Sequence, residues 1–301
     1  MPETCRRLML LVAALHLVAL ANVACLGEPV REVPLRHEGP ITVMTFNVRH
    51  GLAVNDGLNQ WIFRRDLVTL VVEEEAPAII GFQEAHPFQL HYLQDHLPDY
   101  ESYGVGREAN GKGEMVPLFW DRERFERLET GTFWFSNTPE KPGSNDWDNA
   151  HPRICSWARL LDRSTQRSLY VYNLHLSTAS DEVRERSAVM LLEMIVARDF
   201  PEDTVLVLGD FNAAEDSPAI SVLDSAELGE DVVLYDTYRR LYPEVPSTRT
   251  GHAFSGGTEG KKIDYIFASS DFTATASDII TRSYDGRYPS DHFPVVATLT
   301  W

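Results

Sequence analysis

Six short apolar runs of this chain each carry a carboxylate, an amide or an imidazole at one end, and this pattern restricts the fold more than any other feature. Asn47 follows Val43-Met44-Thr45-Phe46, Glu84 follows Ile79-Ile80-Gly81-Phe82-Gln83, and His175 follows Tyr170-Val171-Tyr172-Asn173-Leu174. Asp210 and Asn212 follow Val205-Leu206-Val207-Leu208-Gly209, Asp264 interrupts the run Ile263 to Phe267, and Asp291 and His292 precede Phe293-Pro294-Val295-Val296. Runs of this length, rich in β-branched and aromatic residues, read as strands. Strand ends are where a rigid scaffold presents polar groups to a cleft.

The spacing predicts strands at 41–47, 78–84, 115–121, 131–136, 154–162, 168–176, 204–210, 263–268 and 295–299. Helices are expected at 60–75, with Leu67, Leu70 and Val71 in step, at 88–97, and at 181–198, with Val189, Leu191, Leu192 and Ile195 inward. Ser217 before Pro218 is the signature of a helix start. Successive strands between 115 and 176, with few helices between them, require antiparallel pairing. The expected fold class is mixed α/β, with two mainly antiparallel sheets packed face to face and helices outside.

The chain divides into a signal peptide (1–24), a proline-containing linker (25–39) and one domain (40–301). Arg6 and Arg7 precede an apolar run from Leu8 to Ala21, with small residues following. A membrane-spanning helix needs roughly 20 apolar residues, and His16 and Asn22 break this run. Export, to the periplasm or outside the cell, is therefore expected, with no transmembrane anchor. Asn22-Val23-Ala24-Cys25 leaves a lipid anchor through Cys25 as the alternative to plain release. Three cysteines make no disulfide framework. Cys155, within Ile154 to Ala158, reads as a small buried hydrophobe. A net charge of −18 argues against tight, non-specific binding of nucleic acid, although a metal ion reverses the sign locally. The protein is expected to act as a monomer.

A lone Asp at a strand end is usually a turn residue, and a lone His is usually structural. Six strands that deliver such groups together are harder to explain as structure alone. The donor set is poor in cysteine and rich in oxygen, which suits Mg²⁺, or Mn²⁺ or Ca²⁺, rather than a structural zinc site.

Six segments, in order, resemble the signature motifs of the endonuclease/exonuclease/phosphatase family. They are Thr45-Phe46-Asn47, Gly81-Phe82-Gln83-Glu84, Asn173-Leu174-His175-Leu176, Gly209-Asp210-Phe211-Asn212, Lys262-Ile263-Asp264-Tyr265-Ile266 and Ser290-Asp291-His292-Phe293-Pro294-Val295. That family includes secreted DNases, abasic-site endonucleases, inositol polyphosphate phosphatases and bacterial sphingomyelinases. The resemblance implies a DNase I-like four-layer α/β/β/α sandwich and a metal-dependent hydrolase of phosphate esters. It implies metal ligation by Glu84 with Asn47, and by Asp291 directly or through water. Asp210 would orient or deprotonate the attacking water, Asn212 would hold that water or a phosphate oxygen, and His175 and His292 would contact phosphate. Asp264 would hold the His292 ring in one tautomer. Whether Asp210 or His292 is the operative base stays open.

The resemblance further implies that Glu114 pairs with the imidazole of His175, that Arg153 binds phosphate, and that Arg107, in a glycine-rich loop, reaches substrate. Val48-Arg49-His50 departs from the acidic pattern of abasic-site enzymes, no long basic arm is present, and Lys261-Lys262 is a thin match to the inositol phosphatases. His50, His86, His151 and His252 match no motif and are expected at the surface or in loops. Phe133-Trp134-Phe135 and Trp147 read as core packing in preference to an aromatic wall. The alternatives are a phospholipid hydrolase of the sphingomyelinase kind and a non-catalytic binding protein that keeps the fold. A zinc hydrolase has no His-Glu-x-x-His run to support it.

Overall fold

A computed structural model describes residues 39–229 and 232–301. The expected signal peptide, Cys25 and nearly all of the linker lie outside the described residues. The first sheet contains β1 (Ile41–Asn47), β2 (Ile79–Gln83), β3 (Tyr100–Tyr103), β4 (Leu118–Asp121), β12 (Thr273–Ile279) and β13 (Val295–Thr300), in the order β12-β13-β1-β2-β4-β3. The second contains β5 (Phe125–Trp134), β6 (Ile154–Asp162), β7 (Arg167–His175), β8 (Thr204–Asp210), β9 (Glu227–Gly229), β10 (Val232–Asp236) and β11 (Asp264–Ser269), in the order β5-β6-β7-β8-β11-β10-β9.

The sheets pack face to face because alternate residues of nearly every central strand are apolar. Ile41, Val43, Ile79, Leu118 and Trp120 of the first sheet share a buried core with Leu160, Leu169, Val171, Leu206, Leu208 and Ile266 of the second. The intervening residues face outward under helices. Met44, Phe46, Ile80 and Phe82 pack with residues of α1 (Trp61–Glu75) and α2 (Pro87–His96). Tyr172, Leu174, Val205, Val207 and Tyr265 pack with residues of α3 (Asp181–Val196) and α4 (Pro218–Leu223). Burial on both faces explains why these strands read as continuous apolar runs, and four layers result.

Two crossovers decide where the chemistry collects. β1–α1–β2 and β7–α3–β8 are the parallel connections; β1 pairs with β2, and β7 with β8, in parallel. Parallel neighbours end on the same side, so Asn47 lies opposite Gln83, and His175 opposite Asp210. β11 and β13 run antiparallel to β8 and β1, so their beginnings meet those same ends: Asp264 lies opposite Asp210, and Val295 opposite Thr45. One edge of the sandwich therefore gathers the ends of four strands and the starts of two more.

The structure corrects several expectations. Val189 is exposed; the buried stripe of α3 is Val183, Ser187, Ala188, Leu191 and Ile195. Val189 is two residues from Leu191, about 200° round a helix with 3.6 residues per turn. α1 buries Val68, Val71 and Val72 more completely than Leu67 or Leu70. β5 begins at Phe125, well before the expected strand, because its first half is exposed and polar. β3, β9, β12 and the short helix α5 (Thr237–Leu241) are additions without an apolar run to announce them, and β10 is a further addition despite its run Val232-Val233-Leu234-Tyr235. Phe133, Trp134 and Phe135 are buried, as core packing requires, and Cys155 is buried with its thiol pushed up by burial.

Candidate active site

Asp210 is the hub of the gathered edge. It is almost wholly buried, at 1% exposure, and each of its oxygens has a partner. The Asn212 backbone N–H donates to Oδ1 at 2.8 Å, and the Asn47 side-chain amide donates to Oδ2 at 2.9 Å. The same amide nitrogen donates to Glu84 Oε1 at 3.0 Å, so one asparagine joins two carboxylates from different sheets. The Asn47 oxygen accepts the Arg49 N–H, and Glu84 Oε2 accepts the His50 N–H at 2.8 Å. Glu84, Asn212 and Arg49 all adopt the left-handed backbone conformation, at φ 61°, 49° and 54°. Such strain in non-glycine residues is tolerated where the surroundings over-determine it, often at functional sites. Burial, and then the charge of Asp264, push the Asp210 carboxyl up to about 7.

Two imidazoles flank Asp210. His175 Nε2 is 3.6 Å from Asp210 Oδ2, and His292 Nε2 is 3.9 Å from the same oxygen. His292 Nδ1 is held by Asp264 Oδ2 at 2.9 Å. Burial works against a charged His292 ring, but Asp264 and Asp210 outweigh it, and its pKa is well above the ordinary value. His175 goes the other way: burial and then Arg153 hold it well below. The surroundings of the two rings therefore favour opposite charge states.

Arg107, Glu114, Arg153 and His175 line a small cavity together. Glu114 does not pair with His175 as expected. Its Oε2 accepts from Arg107 Nη1 at 2.7 Å, because the loop returns Arg107 beside it, with the Arg107 N–H bonded to the Glu114 carbonyl. Arg153 Nη1 and Arg107 Nε are buried without a hydrogen-bond partner among the described residues. A buried guanidinium nitrogen without an acceptor is costly, and a phosphate oxygen is the acceptor that matches it.

The residues fit a divalent cation. Burial raises Asp291, His292 opposes this, and nearby Glu84 adds to it; such crowding of carboxylates is what a cation relieves. Glu84 and Asp291 would hold it through carboxylate oxygens suited to a hard ion, whereas Asn47, expected as a ligand, turns its amide nitrogen to Glu84 and gives its oxygen to the Arg49 N–H. Ligating atoms of Glu84, His175 and Asp210 also lie within 4.8 Å of one another.

Some contributors went unread in the sequence. His252, expected at the surface or in a loop, lies in a loop but is 1% exposed. It stacks on Phe293 at 3.8 Å and has its pKa lowered to about 4, by burial first and then by His292. Arg64, on α1, donates from Nη1 to Val48 O and Pro289 O and from Nη2 to Arg49 O, tying the segment after Asn47 to the one before Asp291. An arginine on the apolar face of α1 was its one visible signal. Lys262 is fully buried and bonded to Asp236 at 2.6 Å, so it holds structure instead of facing substrate.

The description Endonuclease/Exonuclease/phosphatase family matches residues 44–292. An endonuclease/exonuclease/phosphatase from Bacteroides vulgatus is 29% identical, with a TM-score of 0.78 over 87% of this chain and 99% of its own. A mannosyl-6-phosphatase from Bacteroides thetaiotaomicron is 28% identical, with a TM-score of 0.77 over 87% of this chain and 100% of its own. Protein L388 of Acanthamoeba polyphaga mimivirus is 24% identical, over 84% of this chain and 98% of its own.

Proposed function

The chain belongs to the endonuclease/exonuclease/phosphatase family, and on that premise we propose that it is an exported, divalent-cation-dependent phosphoesterase whose substrate is a small phosphate ester, most readily a phosphorylated sugar. The observation that carries the hydrolase reading is the convergence of Asp210, Asn47, Glu84, His175 and the Asp264–His292 pair at one edge of the sandwich. Two features favour a small ester over a nucleic-acid polymer: the net charge of −18 and the likeness to a mannosyl-6-phosphatase. Export rests on the basic and apolar pattern of residues 1–24.

A divalent cation held by Glu84 and Asp291 would supply positive charge to the non-bridging phosphate oxygens. Arg153 and Arg107 hold those oxygens from the cavity side, using the guanidinium nitrogens that lack an acceptor. Asp210, with its pKa near neutral, accepts the proton of the attacking water. The Asn47 amide and the Asn212 N–H keep its carboxylate aimed. His292, cationic over Asp264, donates to the phosphoryl or leaving oxygen where negative charge develops. His175 stays neutral and supplies a hydrogen bond without adding charge.

Purified enzyme with Mg²⁺, Mn²⁺ or Ca²⁺ should release phosphate from mannose 6-phosphate and p-nitrophenyl phosphate, and EDTA should abolish this. Cleavage of bis-p-nitrophenyl phosphate or plasmid DNA in preference to the monoesters would overturn the substrate class. Activity that survives EDTA would overturn the cation. A metal-binding titration should detect an ion on the wild type and much weaker binding on Glu84→Ala.

A further inference from the structure

We propose that Thr250 is a positioning residue, which sets the Asp264–His292 pair against Asp210 by clamping the two chain segments that carry it. The inference rests on the reading that this pair acts in phosphoester hydrolysis.

β11 enters the sheet with one side bare. β8 pairs with it from Asp264 to Ala268, but β10 reaches only Phe267 to Ser269 on the other side. The N–H groups of Ile263 and Asp264 therefore need an acceptor from elsewhere. The Thr250 hydroxyl provides it, at 3.0 Å from the Ile263 nitrogen and 3.2 Å from that of Asp264. Its backbone carbonyl meanwhile accepts the Phe293 N–H at 2.8 Å. One residue, 0% exposed, thus binds the chain next to both partners of the Asp264–His292 hydrogen bond.

The following residues extend the clamp. The His252 and Ala253 N–H groups both donate to the Asp291 carbonyl, at 2.7 and 3.0 Å. Gly251 bridges to His292 as an isolated antiparallel pair. Its Cα lies so close to the ring that an added Cβ would sit 3.3 Å from His292 Cε1 and 3.4 Å from Nε2. Asp264 and His292 come from segments that have no strand pairing with each other. Thr250 is what fixes their relative position.

Thr250→Val keeps the shape and removes the acceptor, leaving two buried N–H groups unpaired. Displacing a reacting group by about 1 Å can cost on the order of a hundredfold in rate. On that scale, Thr250→Val is expected to lower kcat between about tenfold and a hundredfold, with KM within about twofold. Thr250→Ser, which restores the hydroxyl, should recover kcat to within about threefold. A folded Thr250→Val with wild-type kcat, or a Ser variant no better than Val, would overturn the proposal. If Val does not fold, hydrogen exchange on the wild type decides: protected Ile263 and Asp264 amides support the clamp, and exchange at free-peptide rates overturns it. His292→Ala is measured alongside. If that variant is fully active the hydrolytic reading itself has failed, whereas an inactive His292→Ala beside an unaffected Thr250→Val fails the clamp alone.

Discussion

The two flanks of Asp210 use the same side chain for opposite ends. On one, His292 leans on the carboxylate of Asp264 and is held as a cation. On the other, His175 lies in a cavity with Arg107 and Arg153 and is held neutral. Both rings are within 4 Å of the same Asp210 oxygen. The difference teaches that burial disfavours a charge on both rings and that the neighbouring group decides which ring overcomes it. An anion behind the ring makes an imidazolium that can stabilise developing negative charge. Burial, reinforced by a guanidinium beside the ring, favours a neutral partner and leaves the positive charge to the arginine.

The comparison breaks first at its centre. Asp210→Asn and His292→Ala should each lower kcat by several orders of magnitude, with circular dichroism unchanged. His175→Ala should cost less, because the ring it removes carries no charge. Equal losses for the two histidines, measured by steady-state kinetics, would erase the asymmetry.

Asp264→Asn sharpens it next. The Asp264 charge raises both Asp210 and His292, so removing it lowers both. The acid limb of the activity profile, set by Asp210 losing its proton, and the alkaline limb, set by His292 losing its own, should both move to lower pH. A kcat profile across neutral pH checks this.

Arg153→Ala tests the opposite flank and should be milder. KM should rise roughly tenfold, as expected for a lost charge-assisted contact, with kcat little changed. Because Arg153 depresses His175, the His175 imidazole signal should titrate at a higher pH by NMR.

The smallest effect on activity is expected beneath the site, where Asn173 ties the sheets together. Its amide donates to Phe82 O and Pro117 O, and its oxygen accepts from Gln83. Asn173→Ala should cost about 2–4 kcal/mol of stability, since it removes three buried hydrogen bonds. Thermal melting would measure it, and activity per folded molecule should stay nearly intact.

The central strands were legible because each is buried on both faces, and a continuous apolar run records that directly. β1 and β8 fall on the residues that this pattern marks, and β6 on those marked by its alternation. The edge strand β12 was not legible, since most of its residues face solvent and no apolar run marks it. Asn47, Glu84, His175, Asp210, Asp264 and His292 stood out as polar residues ending or breaking such runs. Thr250, Arg64 and His252 did not. Their roles are hydrogen bonds and packing to residues far away in the chain, and of the three only Arg64, a charge on the apolar face of α1, leaves a local sign.

By itself, then, the sequence determined which strands form the core and which polar groups stand at their ends, because burial and strand period are local properties of the chain. Which strand runs beside which, and in what direction, was decided only by the tertiary structure, and that placement brings four ends and two beginnings to one edge. The same is true of the partners. Glu114 holds Arg107 and not His175, and two histidines of identical chemistry have their pKa values pushed in opposite directions. Electrostatic energy depends on distance through space, and distance through space is what the linear order of residues does not contain.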